Sequence, residues 1–316
     1  MQRVFFDNGQ IAIQDVPMPV PGSGEVLVKV RMAGICNTDL ELLKGYHNFR
    51  GVPGHEFVGV VEHAADGPDA RRLLGQRVVA DINIGQDPGD ARHAPGRRVL
   101  GIVNKDGAFA QYLTIPAANC HIVPPEVIDS AAVFAEPLAA ALEVGQQVHL
   151  RATDRVAVLG DGKLGILIAT ALRHACPGIV LIGKHADKLA VAARQGVRTA
   201  TVQDAPGLAP FDVVVEATGR PGGVTAALDL VRPEGTIVLK TTTQAPDCLD
   251  MARIVVNEIV LVGSRCGNMP LAVTYLRDRL VDVGELVEAV YPLERFAEAF
   301  AAASSPGARK VLLEVG

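Results

Sequence analysis

Val156-Ala157-Val158-Leu159-Gly160-Asp161-Gly162-Lys163-Leu164-Gly165 is the stretch that decides the fold of this chain. Four apolar residues lead directly into a G-x-G-x-x-G motif that opens an apolar helix predicted over residues 164–173. In a βαβ unit the first glycine permits a tight turn, the second lets a pyrophosphate approach the backbone, and the third lets helix and strand pack closely. The helix N-terminus offers free N–H groups to the phosphates. The motif is either a structural turn or, as we predict, a dinucleotide site formed by Gly160, Gly162, Lys163, Leu164 and Gly165.

Strands and helices alternate beyond this motif. Apolar runs at 179–182 and 213–215 read as strands, and 188–194 reads as a helix between them. Continuous apolar strands that alternate with helices are typical of a doubly wound parallel sheet. The pattern of residues before about residue 125 is different. Short apolar runs such as 25–30, 57–61 and 77–80 are separated there by glycine and proline, which predicts a β-rich region. The end of the chain holds a helix and then a β-like run at 310–315.

The composition limits the classes of protein to which the chain can belong. With 316 residues, 49% of them hydrophobic and 21% charged, it is long enough for two domains with separate cores. No apolar run reaches the roughly 18 residues that a membrane-spanning helix needs, so we expect a soluble protein without a membrane partner. A net charge of −5 without a concentrated basic face argues against nucleic acid and favours small-molecule partners.

The termini and cysteines indicate the compartment. The chain reaches Asp7 and then a glycine before a signal-peptide core could form, which predicts a cytoplasmic protein. Its five cysteines include no C-x-x-C pair and are odd in number, which is poor material for a disulfide framework. We therefore expect free thiols.

A second candidate for ligand contact follows the strand at 213–215. Glu216-Ala217-Thr218-Gly219 would sit at the carboxyl edge of the sheet, where ligands bind in open α/β folds. Thr218 is the candidate cofactor contact. The alternative is that these small residues form only a turn.

Two residues of the β-rich region can bind a metal. Cys36 lies in Gly34-Ile35-Cys36-Asn37-Thr38-Asp39, and His55 lies nineteen residues later in Gly54-His55-Glu56-Phe57-Val58-Gly59. Taken alone, a cysteine and a histidine in a β region are more often core residues than ligands. Their surroundings decide the interpretation.

The chain resembles the medium-chain dehydrogenase/reductase family, and within it the zinc-dependent alcohol dehydrogenases. The hallmark of that family is a G-x-C-x-x-D segment followed by G-H-E-x-x-G, with the glycine loop well downstream, and all three occur here in that order. The resemblance covers essentially the whole length. It implies a GroES-like β-rich catalytic domain formed by residues 1–125 and 271–316, and a Rossmann dinucleotide-binding domain, with a doubly wound parallel sheet, over residues 126–270.

The resemblance also implies a catalytic zinc site. The cysteine and histidine ligands correspond to Cys36 and His55, and the sorbitol-, glucose- and threonine-like branch of the family takes a third ligand from an E-P-L motif, which is present here as Glu136-Pro137-Leu138. Three protein ligands leave the fourth position for water or substrate. Glu56 either enters the coordination shell or supports it from outside. Asp39 is expected to orient His55.

The sequence departs from the family at two places. Residues 83–98 contain none of the four closely spaced cysteines that hold a structural zinc in relatives, so one catalytic zinc per chain is expected and no structural one. A histidine that relays the substrate proton in the closest alcohol dehydrogenases is missing, because Leu40, Glu41 and Leu42 occupy that stretch. The hydroxyl of Thr38 can still receive the proton, which then leaves through the cofactor ribose, Glu41 or water.

The family resemblance assigns the remaining contacts and the reaction. Zinc would polarise an alcohol whose hydride passes to the nicotinamide, with a secondary alcohol, a polyol or the corresponding carbonyl as substrate. Lys310 matches a basic position that contacts the cofactor phosphates in relatives. Arg265 reaches either cofactor or substrate, or is a plain surface arginine. Family members form dimers or tetramers, so a homodimer or homotetramer is expected.

The end of the second cofactor-domain strand predicts NADP(H) in preference to NAD(H). An NAD site usually places an acid there to bind the ribose 2′-OH. This sequence has Gly183, Lys184 and His185 instead, and no acid until Asp187. Gly183 would make room for a 2′-phosphate, while Lys184 and His185 would offer charge and donors. The alternative is that both residues belong to a solvated loop.

Two other functions fit the same fold. One is a zinc-free quinone or enoyl reductase, although such proteins generally lack the Cys36, His55 and Glu136 set. The other is a binding protein without activity. Metal content distinguishes the first and a turnover assay the second, since function resides in the site rather than in the fold.

Overall fold

The computed structural model describes residues 1–7, 9–45, 48–85, 92–242 and 248–316. The chain divides into two units, the first formed by Met1–Glu136, Met269–Arg279 and Val283–Gly316, the second by Pro137–Asn268 and Leu280–Asp282. The sequence placed the first boundary at residue 125, so the first unit reaches further than expected. One reason is an ion pair, in which Arg77 Nη1 lies 2.7 Å from Asp129 Oδ1 and so holds the chain after residue 125 against the first unit.

The first unit is rich in strands. They are β1 Gln2–Asp7, β2 Gln10–Asp15, β3 Glu25–Gly34, β4 Glu56–Ala64, β5 Arg77–Ala80, β6 Asn83–Ile84, β7 Arg98–Val99, β8 Tyr112–Pro116, β9 Cys120–Ile122, β16 Val287–Pro292 and β17 Lys310–Glu314. Seven of them form one sheet in the order β16-β17-β3-β4-β5-β9, with β8 pairing with β3. Two further strand pairs, β1 with β2 and β6 with β7, stand apart from it. The helices are α1 Asn37–Leu43, α2 Pro68–Arg72, α3 Asp129–Ala132, α10 Met269–Arg277 and α11 Phe296–Ser304.

The second unit is a parallel sheet with intervening helices. Its strands are β10 Val156–Leu159, β11 Val180–Gly183, β12 Arg198–Thr201, β13 Phe211–Glu216, β14 Val231–Leu239 and β15 Val260–Gly263. They run in the order β12-β11-β10-β13-β14-β15, and every pair is parallel. The helices are α4 Ala135–Gln147, which begins in the first unit, α5 Lys163–Leu172, α6 Ala186–Arg194, α7 Ala205–Leu208, α8 Gly223–Leu228 and α9 Met251–Val256.

The predicted fold class, a β-rich region joined to a doubly wound parallel sheet, is confirmed. The strands predicted at 77–80 and 156–159 are β5 and β10 with the same limits. The helix predicted over 164–173 begins one residue earlier, because Gly162 takes an extended conformation as the residue before the helix. All four residues of β10 are buried, as a central strand covered on both faces requires.

Strand order explains where a ligand belongs in the second unit. The order reverses beside β10, whose neighbours are β11 on one side and β13 on the other. In open α/β sheets ligands bind outside the carboxyl ends of the strands at such a reversal. The glycine loop begins at Gly160, directly after β10, and so lies at this point.

The segment at 83–98 contributes β6 and β7, which pair through Asn83 and Val99. Residues 86–91 of this segment lie outside the described residues, so the expectation that no structural zinc binds here stays a prediction. None of the helices in the described part of the chain is long and apolar enough to cross a membrane.

Candidate metal centre and dinucleotide loop

Three potential metal ligands converge in the first unit. Cys36 follows β3 and precedes α1, while His55 and Glu56 stand at the start of β4. The antiparallel pairing of β3 with β4 sets Gly34 opposite Glu56 and so brings these two loops together. One ligand atom from each of Cys36, His55 and Glu56 lies within 4.8 Å of the others. The sequence predicted Cys36 and His55 as ligands and placed Glu56 either in the coordination shell or in support of it, and the fold brings all three together.

A buried carboxylate holds the two ligand-bearing loops. Asp39 is fully buried, and its Oδ2 accepts a hydrogen bond of 2.8 Å from the Cys36 N–H. Its Oδ1 accepts one of 3.1 Å from the Gly54 N–H. Charge-assisted hydrogen bonds of this kind are about twice as strong as neutral ones. Asp39 therefore fixes the backbone on both sides of the centre.

Asp39 contacts His55 less directly than the sequence suggested. Its Oδ1 lies 3.5 Å from His55 Nδ1, and this buried nitrogen has no hydrogen-bond partner. The contact is therefore electrostatic. Burial lowers the pKa of His55, but its electrostatic interactions with Asp39 and Cys36 outweigh burial and raise that pKa well above its ordinary value.

The donor set fits a zinc ion. A sulfur, an imidazole and a carboxylate oxygen are the ligand types that zinc takes in catalytic sites. The Nδ1 atom of His55 is buried and has no hydrogen-bond partner. A metal ion bound by the ring would fix its orientation, and this nitrogen could then gain a partner. Asp39, Glu56 and a ligating thiolate of Cys36 would be three negative charges against the ammonium of Lys310. A divalent cation would offset that excess in a buried site.

Glu56 and Lys310 form a buried ion pair. Lys310 Nζ donates a short hydrogen bond to Glu56 Oε2, and the exposed fractions of the two side chains are only 2% and 1%. The ammonium also lies 5.8 Å from the ring centre of Phe134. A Cβ atom at Gly34 would come within 2.6 Å of the Glu56 carboxylate, so glycine leaves the space that the pair occupies.

This pairing corrects the expectation for Lys310. The sequence assigned its ammonium to the cofactor phosphates, yet the side chain is buried in the first unit and its charge is taken up by Glu56. Burial lowers the pKa of Lys310, but the charge of Glu56 raises it by more, so the residue is cationic. It is the counter-charge of Glu56 beside the candidate metal centre.

Glu136 falls outside the set of three. It is half-buried in the first turn of α4, where the E-P-L motif places it. The preceding residues pack against the centre, since Val133 lies 2.8 Å from the position of a Cβ on Gly34 and Phe134 lies under Lys310. Glu136 thus stands two residues from a side chain that contacts the Glu56 and Lys310 pair, and its part in the coordination stays a prediction.

Thr38 lies where the sequence expects it, beside the ligand sulfur. Its Oγ1 is 3.8 Å from Cys36 Sγ, and the side chain is half-buried on the first turn of α1. A hydroxyl can both donate and accept a proton. Thr38 is therefore positioned to contact a group that is bound near the sulfur.

Three glycines support the turn that carries His55. Gly54 has a φ of +95°, and a Cβ there would lie 2.6 Å from the ring of Phe109. A Cβ on either Gly101 or Gly107 would run into the carbonyl of Gly54. The loop around Gly107 is tied to this turn by main-chain hydrogen bonds, including one of 2.9 Å from Ala108 N–H to the Gly54 carbonyl.

The glycine loop of the second unit has the geometry that the motif predicts. Gly160 has a φ of +120°, which only glycine adopts readily. A Cβ on Gly162 would meet nothing within 4 Å, so the backbone there is open to approach. Gly165 packs directly on the carbonyl of Gly160. Lys163 and Leu164 begin α5 and are half-buried. The loop therefore suits a pyrophosphate.

The end of β11 differs from the expectation for a 2′-phosphate site. A Cβ on Gly183 would lie 2.5 Å from Asp161 Cβ and Oδ2, so the space next to this glycine is filled by Asp161. The Lys184 and His185 N–H groups each donate a 2.6 Å hydrogen bond to Asp161 Oδ2. The predicted room at Gly183 is absent, and these backbone donors are already used. The side chains of Lys184 and His185 are exposed.

Thr218 belongs to a hydrogen-bonded turn around a buried acid. Glu216 ends β13 with 1% exposure, and its Oε1 accepts hydrogen bonds of 2.8 Å from Thr218 N–H and 2.6 Å from Thr218 Oγ1. Thr241 Oγ1 donates a third, of 2.9 Å. The side chain of Thr218 therefore faces Glu216, which fits the structural alternative for this residue.

Sequence reasoning missed Lys240. This buried residue follows β14 and donates hydrogen bonds of 2.7 Å to the Ala140 carbonyl, 2.9 Å to the Arg265 carbonyl and 3.2 Å to Ser264 Oγ. It fixes the backbone of Arg265, whose own side chain is exposed. A single lysine after a strand gives no sequence signal of such a role.

Comparisons with known proteins agree with this geometry. Residues 22–125 match the family model described as Alcohol dehydrogenase GroES-like domain. The chain is 32% identical to the L-threonine 3-dehydrogenase of Streptomyces coelicolor, over 99% of each chain. An alcohol dehydrogenase (rspB) of Escherichia coli CFT073, solved with NADH, has a TM-score of 0.92 and 25% identity and covers 100% of this chain and 99% of its own. A dehydrogenase of Sinorhizobium meliloti 1021 bound to NADP has a TM-score of 0.89, 26% identity and 99% coverage of both chains.

We predict that Gly101→Ala displaces the turn that carries His55. The new methyl group overlaps the Gly54 carbonyl, so the variant should lose roughly 1–3 kcal/mol of stability beyond the backbone strain and retain less zinc. Gly75→Ala is the matched control, because Gly75 has a similar φ of +75° with nothing within 4 Å. Thermal unfolding and zinc content of both variants are the measurements. Equal behaviour of the two variants would contradict the role of the glycine contact.

Proposed function

Because the chain belongs to the medium-chain dehydrogenase/reductase superfamily of zinc-type, NAD(P)-dependent alcohol dehydrogenases, we propose that it is a zinc-dependent oxidoreductase of secondary alcohols or polyols. The observation that carries the proposal is the convergence of Cys36, His55 and Glu56 within 4.8 Å. A quinone or enoyl reductase without zinc would have no use for this donor set.

Cys36 and His55 would hold the zinc ion together with a glutamate. Glu56 has the favourable distance, but its carboxylate is engaged by Lys310. Glu136 matches the E-P-L motif of the family and lies just beyond Phe134. We propose Glu136 as the third ligand and Glu56 as the carboxylate that can exchange with it, since a carboxylate balanced by an ammonium is a weaker ligand.

The residues around the candidate metal centre would have separate roles in the reaction. When bound, a zinc ion would polarise the substrate hydroxyl and the nicotinamide would accept the hydride. Asp39 keeps the two ligand loops in register through the Cys36 and Gly54 amides. The hydroxyl of Thr38 would accept the substrate proton at Oγ1 while it donates its own proton to water or to Glu41, which is exposed on the same helix.

The glycine loop would bind the cofactor pyrophosphate, with Gly160, Gly162 and Gly165 in the roles that their geometry allows. Lys163 and Leu164 supply N–H groups at the start of α5. The preference for NADP(H) that the sequence predicts is not part of this proposal, because Asp161 occupies the space beside Gly183 on which the preference partly rested.

Turnover with a substrate panel tests the function. The purified, zinc-loaded protein should oxidise one or more secondary alcohols or polyols, as followed by the absorbance of the reduced nicotinamide. A chelator should abolish turnover and zinc should restore it. Elemental analysis should give about one zinc ion per chain, since the described ligands form one catalytic set. Turnover that persists without metal would favour a zinc-free reductase, and no turnover with any substrate would favour a binding protein.

Paired glutamine variants test the assignment of the third ligand. Glu136→Gln should lose zinc and reduce turnover by orders of magnitude, because the ligand charge and geometry are lost. Glu56→Gln should cost roughly 3–5 kcal/mol of stability, because it leaves Lys310 as an unpaired buried charge, while zinc is retained. Glu126→Gln, an exposed residue, is the control. Normal zinc content and turnover in Glu136→Gln would contradict the assignment.

We also propose that the protein is a cytoplasmic homodimer or homotetramer. β15 is an edge strand of the six-stranded sheet, and the exposed apolar side chains near it are Val255, Val256 and Val260. An exposed edge next to apolar side chains is a surface that a second copy can cover.

Light scattering should give the mass of a dimer or tetramer, and Val260→Lys should lower that mass. Val290→Lys is the control, since Val290 is an exposed valine on β16, an edge strand of the seven-stranded sheet. A monomeric wild type would contradict the proposal, and dissociation by Val290→Lys alone would contradict the assignment to β15.

A further inference from the structure

The carboxylate of Asp161 lies at the end of β11. Asp161 is the second residue of the glycine loop and is 7% exposed. Its Oδ2 accepts 2.6 Å hydrogen bonds from the Lys184 and His185 N–H groups, and His185 Nδ1 lies 3.0 Å from the same oxygen. Burial raises the pKa of Asp161, but the hydrogen bonds from His185 and Lys184 outweigh burial and hold the pKa below its ordinary value. The group is therefore a carboxylate anion.

This position is the one at which a doubly wound nucleotide domain distinguishes its two cofactors. An acid at the end of the second strand accepts a hydrogen bond from the ribose 2′-OH of NAD, whereas a basic residue nearby accommodates the 2′-phosphate of NADP. β11 is the second strand of the unit and carries no acid, since it ends in Gly183. Asp161 supplies a carboxylate to the same place from the glycine loop.

Three physical effects of Asp161 act against a 2′-phosphate. Its side chain fills the space beside Gly183, where a Cβ would already lie at 2.5 Å. It accepts hydrogen bonds from the Lys184 and His185 amides, which are then not free to donate to a phosphate. Its negative charge repels a phosphate dianion, while a neutral ribose hydroxyl can donate to one of its remaining lone pairs.

Resting on the proposed function, we infer that Asp161 selects NAD(H) over NADP(H). The selection is made by a residue of the phosphate-binding loop, in place of an acid at the end of the second strand. Gly183 is a glycine because Asp161 needs its space, rather than because a phosphate does.

Equilibrium binding of NADH and NADPH to the zinc-loaded full chain tests this inference. Binding is followed by the fluorescence of the reduced nicotinamide, and the chain contains no tryptophan to interfere. The wild type should bind NADH roughly 10- to 100-fold more tightly than NADPH, which corresponds to one or two charge-assisted contacts. The value of kcat/KM should likewise be higher with NADH than with NADPH.

Two substitutions separate charge from space. Asp161→Ser frees the Lys184 and His185 amides and the space beside Gly183, so NADPH should bind more tightly. The preference for NADH over NADPH in binding affinity should fall by about tenfold or more. Asp161→Asn removes only the charge and should give an intermediate ratio, which also guards against a folding defect in the serine variant. Asp187→Asn, an exposed acid in the first turn of α6, is the matched control and should leave the ratio unchanged.

Three results would overturn the inference. The first is a wild type that binds NADPH as tightly as NADH, with Lys184→Ala weakening NADPH alone. The second is an unchanged ratio in both Asp161 variants. The third is an equal shift in Asp187→Asn, which would indicate a general field effect. Failure of the wild type to bind either cofactor would instead contradict the proposed function, and the inference with it.

Discussion

The buried carboxylate of Asp39 is the interaction on which the metal centre depends. Cys36 and His55 come from different loops, and a metal site needs both donors at a fixed separation. Each oxygen of Asp39 accepts a main-chain hydrogen bond from one of these loops, at Cys36 and at Gly54. Hydrogen bonds to a charged group contribute roughly 1.5–3 kcal/mol each. One side chain therefore sets the spacing of the ligands before any metal binds.

Buried carboxylates also accept hydrogen bonds from loop residues in the second unit. Asp161 joins the glycine loop to the end of β11 through two amides, and Glu216 closes the turn after β13 through Thr218. Asp39, Asp161 and Glu216 are all nearly fully buried, and each is satisfied by N–H or hydroxyl donors. A carboxylate is suited to this task because its two oxygens can accept several hydrogen bonds at once. Loops that must present backbone to a ligand are thereby held without a covalent link.

The balance of charge distinguishes the candidate metal centre from the sites of the buried carboxylates Asp161 and Glu216. At Asp39, Glu56 and Cys36 the donors are concentrated in one buried place, and Lys310 supplies an ammonium that balances only part of their charge. At Asp161 a single carboxylate instead accepts hydrogen bonds from the main-chain amides of Lys184 and His185. The two sites therefore differ in charge, although each contains a buried aspartate shortly after a strand.

The sequence alone determined the fold class, the two loops of the candidate metal centre and the glycine loop, because these depend on local patterns. Periodicity specifies β10 and α5, and the spacing of glycines specifies a turn that only glycine can make. The partners of Asp161 and Lys310 were decided only by the tertiary structure. Asp161 and Lys184 are neighbours because β10 and β11 are parallel and adjacent, and Lys310 meets Glu56 because β17 and β4 both pair with β3. Such contacts join residues far apart in the chain, so a charged side chain read in sequence shows its chemistry but not its partner.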